Sequence, residues 1–182
     1  MLGGNRTKLA AAVALVALGG TVASASAARP AASAGSVVAV GSLESGVLVD
    51  INQLRASHHL APLRISAGLS AAARQHSQQM AVDGYFAHES FDGSAFWKRV
   101  QRFYGQGRFG YWSVGENLLW SSPDVDASGA LQMWMNSPEH RANLLTPRWR
   151  EIGLSAVHAV GASGVYHGLD VTIVTADFGI RR

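Results

Sequence analysis

Apolar side chains recur every three or four positions in the first part of the chain, and this spacing predicts two amphipathic helices. The stripe of the first helix consists of Leu43, Val47, Ile51 and Leu54. The stripe of the second helix consists of Leu69, Ala72, Ala73, His76 and Met80. We expect the first helix to end before His58, because Pro62 restricts the backbone that precedes it. We expect the second helix to begin after Ser66, a suitable N-cap residue, and to end at Gly84.

His76 lies on the apolar stripe of the second helix. Because the rest of that face has the composition of a core, the sequence favours a buried, hydrogen-bonded histidine over a ligand-binding one.

The middle of the chain contains a third helical pattern and then a strand. Ser94 is a candidate N-cap for a helix that contains Phe96 and Val100. Residues 104–112 are rich in Gly and aromatic side chains and are too irregular for a helix. Residues 114–120 are predicted to form a short strand.

The last third of the chain changes from helical to strand-like patterns. A fourth helix is expected over residues 126–135, and Ser137 followed by Pro138 predicts the N-terminus of a short fifth helix. Residues 152–160 and 165–180 are separated by a turn rich in Gly, which predicts an antiparallel hairpin. Early helices followed by late antiparallel strands predict an α+β sandwich rather than parallel βαβ units.

The N-terminal segment has the layout of a secretory signal peptide. Arg6 and Lys8 precede an apolar run over residues 9–18, and small residues suited to cleavage follow up to Ala28. The run is short for a membrane span, so an uncleaved anchor is the less favoured alternative. We therefore divide the chain into a signal peptide (1–28), an Ala- and Ser-rich linker (29–42) and a folded domain (43–182).

Composition narrows the possible functions of this domain. The chain has 182 residues, of which 48% are hydrophobic and 15% charged, as expected for one folded domain. The absence of cysteine excludes disulfides, thiolate metal sites and cysteine nucleophiles. The net charge of +3 falls to +1 when Arg6 and Lys8 are removed with the signal peptide. Because the basic residues form no large cluster along the sequence, we do not expect nucleic-acid binding.

Five short motifs occur in the order found in one known family. They are Gly-Tyr-Phe-Ala-His at 84–88, Gly-Glu-Asn-Leu at 115–118, Ser-Pro-Glu-His-Arg-Ala-Asn at 137–143, Glu-Ile-Gly-Leu at 151–154 and Asp-Phe-Gly at 177–179. Together they make residues 43–180 resemble the CAP superfamily of cysteine-rich secretory proteins, antigen 5 and pathogenesis-related 1 proteins. The resemblance is to its bacterial branch, which often lacks cysteine.

This resemblance implies an α-β-α sandwich with a central antiparallel sheet between helical layers. It also implies a cleft lined by two histidines and two acids. His88, Glu116 and His140 match three of these positions, whereas Ser137 occupies the position of the fourth. Glu139 is close to that position but out of register, and Asn117 adjoins the Gly-Glu-Asn motif, where it is expected to fix the local backbone.

Two imidazoles and a carboxylate suit a divalent metal such as Zn²⁺ with one coordination position left to water. The spacing of His88, Glu116 and His140 alone is equally consistent with three separate residues, so the resemblance carries the metal prediction. Two other chemistries remain open from the residues: Ser137 as a nucleophile beside His140, although an N-cap role is favoured, and paired carboxylates at Glu116 and Glu139.

Two functions therefore follow from the sequence. The first is a secreted, extracellular binding or interaction module whose cleft takes a lipid, a cell-envelope component or a protein. The alternative is a metal-assisted hydrolase that uses the same cleft. No membrane span is expected after cleavage of the signal peptide.

Overall fold

The computed structural model describes residues 35–182. The predicted signal peptide and residues 29–34 of the predicted linker lie outside the described residues. The helices are α1 (Gly41–Ser57), α2 (Ala67–Asp83), α3 (Phe96–Phe103), α4 (Ala127–Asn136) and α5 (Pro138–Leu144). The strands are β1 (Val37–Ala39), β2 (Arg64–Ile65), β3 (Trp112–Ser121), β4 (Glu151–Ala162) and β5 (Leu169–Arg181).

The strands form one sheet in the order β1-β4-β5-β3. All neighbours in this order are antiparallel, and the short β2 adds a parallel pair beside the beginning of β4. β3 is therefore an edge strand. The predicted α+β sandwich is confirmed, because helices cover both faces of this sheet.

The two faces of the sheet carry separate cores. One face packs against α1, α4 and α5, and its strand residues include Ile152, Leu154 and Phe178. The other face packs against α2 and α3 through residues that include Leu118 and Val157. Because side chains alternate along a strand, neighbouring residues of β3 point into different helical layers. Two adjacent residues of β3 can therefore contact the two different helical layers at this edge of the sheet.

Gly153 is required by the close approach of α2 to the sheet. A Cβ atom at this position would lie 2.0 Å from the backbone carbon of Leu69. The missing side chain lets α2 lie directly on β4.

The fold begins earlier than the predicted domain boundary. Residues 37–39 were expected in the linker but form β1, and α1 begins at Gly41 rather than near residue 43. Valines favour extended strands, and the N–H of Val40 donates to the carbonyl of Ala156 at 2.9 Å. This short edge strand is too brief to show an alternating pattern in the sequence.

Two other boundaries differ from the prediction. Helix α3 is preceded by Ala95 rather than Ser94, because the backbone N–H of Ser94 donates to Asp92 Oδ1 at 2.9 Å and belongs to the loop. β5 begins at Leu169 rather than at residue 165. A 3₁₀ turn precedes it, and His167 and Gly168 have φ values of 56° and 81°, which are incompatible with a strand.

The predicted N-caps of α2 and α5 are correct in position, since Ser66 and Ser137 occupy them. Asp126, which was predicted to be the first residue of the fourth helix, is the N-cap of α4. Only the Asp126 side chain among these three makes the capping bond, accepting from the Gly129 N–H at 2.7 Å. None of the helices within residues 35–182 combines the length and apolar character needed to cross a bilayer.

Candidate functional site

Glu116 lies on the edge strand β3 and points toward the layer formed by α2 and α3. Its side chain has 0% exposure, and both of its carboxylate oxygens have partners. Oε1 is 2.8 Å from Nδ1 of His88, and Oε2 accepts from Nη2 of Arg99. Burial by itself raises the pKa of this acid, but the bond from His88 and the charge of Arg99 outweigh it, so the pKa of Glu116 is lowered. Glu116 is therefore ionised, and the positive charge of Arg99 balances its negative charge.

His88 lies in the loop between α2 and α3, and 18% of its side chain is exposed. Because an ionised carboxylate can only accept a hydrogen bond, Nδ1 of His88 carries the proton in this pair. In the neutral ring, Nε2 is then a hydrogen-bond acceptor. Nε2 has no hydrogen-bond partner within residues 35–182, so it is the atom of this pair that is available to a ligand.

Arg99 holds the loop that carries His88. It is fully buried on α3, and Nη1 donates to Ser90 Oγ at 3.1 Å and to the carbonyl of His88 at 3.3 Å. The same guanidinium therefore binds the loop and the carboxylate that orients the imidazole. This arrangement fixes both ends of the His88–Glu116 pair.

Asp177 is a second buried acid at this site. It lies directly opposite Glu116 in the antiparallel pair of β3 and β5, so the two side chains project from the same face. Neither of its oxygens has a hydrogen-bond partner among the described residues. Burial raises the pKa of Asp177 well above its usual value, and the charge of Glu116 raises it further. Asp177 therefore holds its proton to a higher pH than an exposed aspartic acid does.

His76 supports the same loop from α2, and its predicted structural role is confirmed. It is fully buried, and its Nε2 atom lies 2.9 Å from the carbonyl oxygen of Ala87. Burial lowers the pKa of His76 to about 4. His76 is therefore neutral at physiological pH, and its ring N–H donates to Ala87.

A chain of hydrogen bonds connects α5 to the other side of β3. Asn117 donates to the carbonyl of His140 at 3.1 Å and accepts from Nδ2 of Asn143 at 2.9 Å. Trp149 Nε1 in turn donates to Asn143 Oδ1 at 3.0 Å. Asn117 was expected to fix the local backbone. In the structure it also bonds to two residues of α5, the helix that carries His140.

A small cavity lies at the edge of the sheet between these two halves. Its volume is about 100 Å³. The lining residues are His88, Phe96, Gly115, Glu116, Ala142, Asn143, Thr146, Arg148 and Trp149. The guanidinium of Arg148 stands over the ring of Trp149 at 4.9 Å, and no ion pair joins it to an acid within residues 35–182. The cavity is therefore lined by the Arg148 guanidinium, which has no acidic partner within residues 35–182, by the rings of Phe96 and Trp149, and by the edge of the His88 ring that carries Nε2.

His140 is half-buried near this cavity but is not among its lining residues. Burial lowers the pKa of His140, and the nearby His88 lowers it further. Ser137 and Glu139 lie at the N-terminus of α5, where Ser137 Oγ donates to Glu139 Oε2 at 3.3 Å. Glu139 is exposed, and neither of these two residues lines the cavity.

The donor atoms do not form a three-ligand metal site as they stand. Within residues 35–182, no group of three His, Asp or Glu side chains is arranged to hold a metal ion. Glu116 is inaccessible and fits the role of orienting His88 through its Nδ1 atom, as outer carboxylates do at metal sites. His88 and His140 are the two residues that could contribute ring nitrogens. Metal binding by the predicted set stays a prediction.

Several residues of the site were not predicted as site residues. Arg99 lies on the apolar stripe of α3 beside Phe96 and Val100, and a charged residue on such a stripe is an indication of a buried ion pair. Trp149 and Asn143 could not have been found this way, because their contribution depends on how α5 approaches β3.

The sequence of residues 48–178 matches the Cysteine-rich secretory protein family, CAP. The Bacillus subtilis protein YkwD, described as uncharacterized, is 33% identical over 121 residues, which are 66% of this chain and 44% of YkwD. The uncharacterized membrane protein YlbC of the same organism is 29% identical over 111 residues, 61% of this chain and 30% of YlbC. The chain thus spans less than half the length of these two relatives.

Solved structures share this fold. An extracellular SCP-domain protein from Bacillus anthracis superposes with a TM-score of 0.58 and 29% identity, over 78% of this chain and 41% of that protein. An outer surface protein from Borrelia burgdorferi superposes with a TM-score of 0.61 over 81% of this chain and 99% of that protein. The identity to the Borrelia protein is 19%, so this second likeness is one of fold. Both of these neighbours are extracellular or outer-surface proteins.

Proposed function

This chain belongs to the CAP family, and from that membership and its cleft we propose that it is a secreted module that binds a small polar or anionic group of an extracellular ligand. The observation that carries the proposal is the state of Glu116. Its charge is neutralised by Arg99, and its side chain has no exposed surface. The groups that face the cavity are consequently a cation and hydrogen-bonding groups rather than a reactive acid.

Arg148 favours a carboxylate or phosphate as the bound group. A guanidinium pairs with such groups through two parallel hydrogen bonds. Phe96 and Trp149 provide apolar walls for the atoms next to the charged group. A cavity of about 100 Å³ is the size of a headgroup or end group. Of the expected ligands, we therefore favour the polar end of a lipid or cell-envelope component.

The alternative of a metal-assisted hydrolase has less support. It requires Glu116 to reach a metal ion or a substrate, and the carboxylate is fully buried with both oxygens engaged. The predicted pair of Glu116 with Glu139 does not line a common cavity, and Ser137 is bonded to Glu139 at the surface end of α5.

An NMR titration of the purified protein with inorganic phosphate and with acetate tests the binding proposal. We expect the indole N–H signal of Trp149 and the ring signals of His88 to shift and saturate. Arg148→Ala should weaken binding at least tenfold, whereas Arg74→Ala, on the exposed side of α2, should leave it unchanged. Equal binding by both variants would disprove the role of the cleft. Chelator-sensitive turnover of an ester or peptide probe would instead favour the hydrolase.

Secretion is tested separately. N-terminal sequencing of the protein from culture medium should give a mature chain that begins near Arg29. Retention of the full-length chain in the membrane fraction would contradict the proposed secretion.

A further inference from the structure

The sheet brings together arginines that are distant in the sequence. Arg64 on β2 donates from its N–H to the carbonyl of Arg150 at 3.0 Å, and the N–H of Arg150 donates to the carbonyl of Gly179 at 3.2 Å. At the next strand, Tyr111 and Arg182 exchange two backbone hydrogen bonds of 2.8 and 3.1 Å. The beginnings of β2 and β4 and the end of β5 therefore lie at one end of the sheet, beside the segment that leads into β3.

Arginine lies in or near each of these strand ends: Arg64 is in β2, Arg150 directly precedes β4, Arg181 ends β5, and Arg108 is in the loop four residues before β3. We call the group the basic end; it consists of Arg64, Arg108, Arg150, Arg181 and Arg182. Since neighbouring strands lie about 4.8 Å apart, the four strand ends span a row of about 14 Å.

These arginines are not neutralised. None of the five takes part in an ion pair among residues 35–182. The acid in the row is Glu151, which accepts a hydrogen bond from the hydroxyl of Tyr104. The carboxylate is therefore partly engaged, and the basic end keeps a net positive charge.

Aromatic rings hold several of the guanidinium groups in place. The guanidinium of Arg181 lies 3.9 Å from the ring centre of Tyr104 and 5.4 Å from that of Phe109. The guanidinium of Arg182 lies 5.2 Å from the ring centre of Tyr111. Nη1 of Arg181 donates to the carbonyl of Gly105 at 3.3 Å, and Nη1 of Arg150 donates to the carbonyls of Pro147 and Trp149 at 2.8 and 2.7 Å. Guanidinium groups held in this way lose less freedom on binding. The exposed Arg150 and Arg182 keep further N–H groups that can donate to phosphate.

The opposite end of the sheet is acidic. Asp83 ends α2, Asp124 and Asp126 follow β3, and Asp170 lies at the beginning of β5. Since Arg6, Lys8 and Arg29 precede the described residues, residues 35–182 contain equal numbers of basic and acidic side chains. Basic residues therefore lie at one end of the strands and acidic residues at the other, although their total numbers are equal.

We propose that the basic end is a docking surface for a linear polyanion with closely spaced phosphate groups, such as a phosphate-bearing polymer. A row of cations at neighbouring strand ends matches a chain of repeating charges better than it matches a single small anion. The rings of Tyr104 and Tyr111 already lie against guanidinium groups, which leaves Phe109, 38% exposed, as the ring of this set that is open to stacking with a nucleobase. This surface is separate from the cleft and does not depend on the function proposed for it.

Binding of linear inorganic polyphosphate to the purified protein, measured by calorimetry at several salt concentrations, tests this proposal. We expect the logarithm of the association constant to fall with the logarithm of salt concentration with a slope of about −3. The triple variant Arg64→Gln, Arg150→Gln, Arg182→Gln should bind at least tenfold more weakly and show a slope reduced to about −1. All three side chains are exposed, so we expect the variant to fold, and thermal unfolding would check this.

The matched control removes the same charge elsewhere. In Arg74→Gln, Lys98→Gln, Arg141→Gln, affinity and slope should stay within twofold of the wild type. Equal losses in the two triple variants would overturn the proposal, as would tighter binding to single-stranded DNA than to polyphosphate or binding to anionic phospholipid vesicles alone. Because Arg148 is intact in both variants, the phosphate titration followed at Trp149 should be unchanged, so this proposal and the cleft proposal can fail independently.

Discussion

Glu116 and Asp177 face each other across β3 and β5 with both carboxyl groups inside the protein. Two buried acids in contact cannot readily carry two negative charges, because each charge raises the free energy of the other. The asymmetry of their surroundings decides which one is ionised. Glu116 has Arg99 and His88 as partners, whereas Asp177 has none among the described residues. The pKa values of the pair are thus moved apart, lowered for Glu116 and raised for Asp177.

Replacement of Asp177 by Asn should reveal this protonation state. The folded protein holds the Asp177 proton, while the unfolded chain releases it above about pH 3.9. Wild-type stability therefore falls as the pH rises through this range, since the unfolded state binds fewer protons. Asn cannot titrate, so the stability of the variant relative to the wild type should increase between pH 4.5 and pH 8, as measured by urea unfolding. A constant difference over this range would show that Asp177 is ionised in the folded protein.

His76 should give the opposite pH dependence. Its pKa is lowered to about 4 in the folded protein, whereas the unfolded chain protonates the ring below about pH 6.5. Between these values the unfolded state binds more protons, so stability is lost as the pH falls from 6.5 to 4, by about 3 kcal/mol.

His76→Gln supplies the control, because Gln does not titrate but can donate to the carbonyl of Ala87. The free energy of unfolding of wild type and variant should converge as the pH is lowered from 7 to 4.5. Parallel stability curves would contradict the neutral, buried state of His76.

The local features of this fold could be predicted from the sequence, because helical stripes and capping residues act over short distances. The stripe that includes His76 is buried, and Gly84 ends α2 with a φ of 67°. Strand register acts over long distances and could not be predicted. The partnership of Glu116 with Asp177 depends on that register, and so does the row of arginines at the basic end.

The residues of the site could be predicted from short sequence motifs rather than from helical or strand patterns. The motifs identify His88, Glu116 and His140, and the structure joins the first two directly. The sequence could not tell that Arg99 neutralises Glu116, since this depends on the packing of α3 against β3. It also could not tell that His140 lies outside the lining of the cavity, because the orientation of α5 is set by Asn117 and Asn143.

Trp134 should be one of the main contributors to stability. Its side chain is fully buried on α4, as the helical pattern predicts, and its Nε1 donates to the carbonyl of Leu118 at 3.1 Å. Trp134→Ala should lower the free energy of unfolding by about 3–5 kcal/mol. The neighbouring Met133 is 42% exposed, and Met133→Ala should cost less than about 0.5 kcal/mol. Similar urea midpoints for both variants would contradict this packing.

Zinc titration calorimetry of the wild type and three variants tests the predicted metal site. His88→Ala and His140→Ala should each remove most of the affinity, since an open zinc site uses about three protein ligands and few remain. Glu116→Gln should weaken binding about 10–100-fold if the carboxylate orients His88 without touching the ion.

The affinity for zinc should fall as the pH drops below about 6.5, because protons compete for the imidazoles. The lowered pKa of His140 keeps that ring neutral to a lower pH. Equal affinity in all four proteins would place any metal elsewhere and leave His88 to the hydrogen-bonded pair with Glu116.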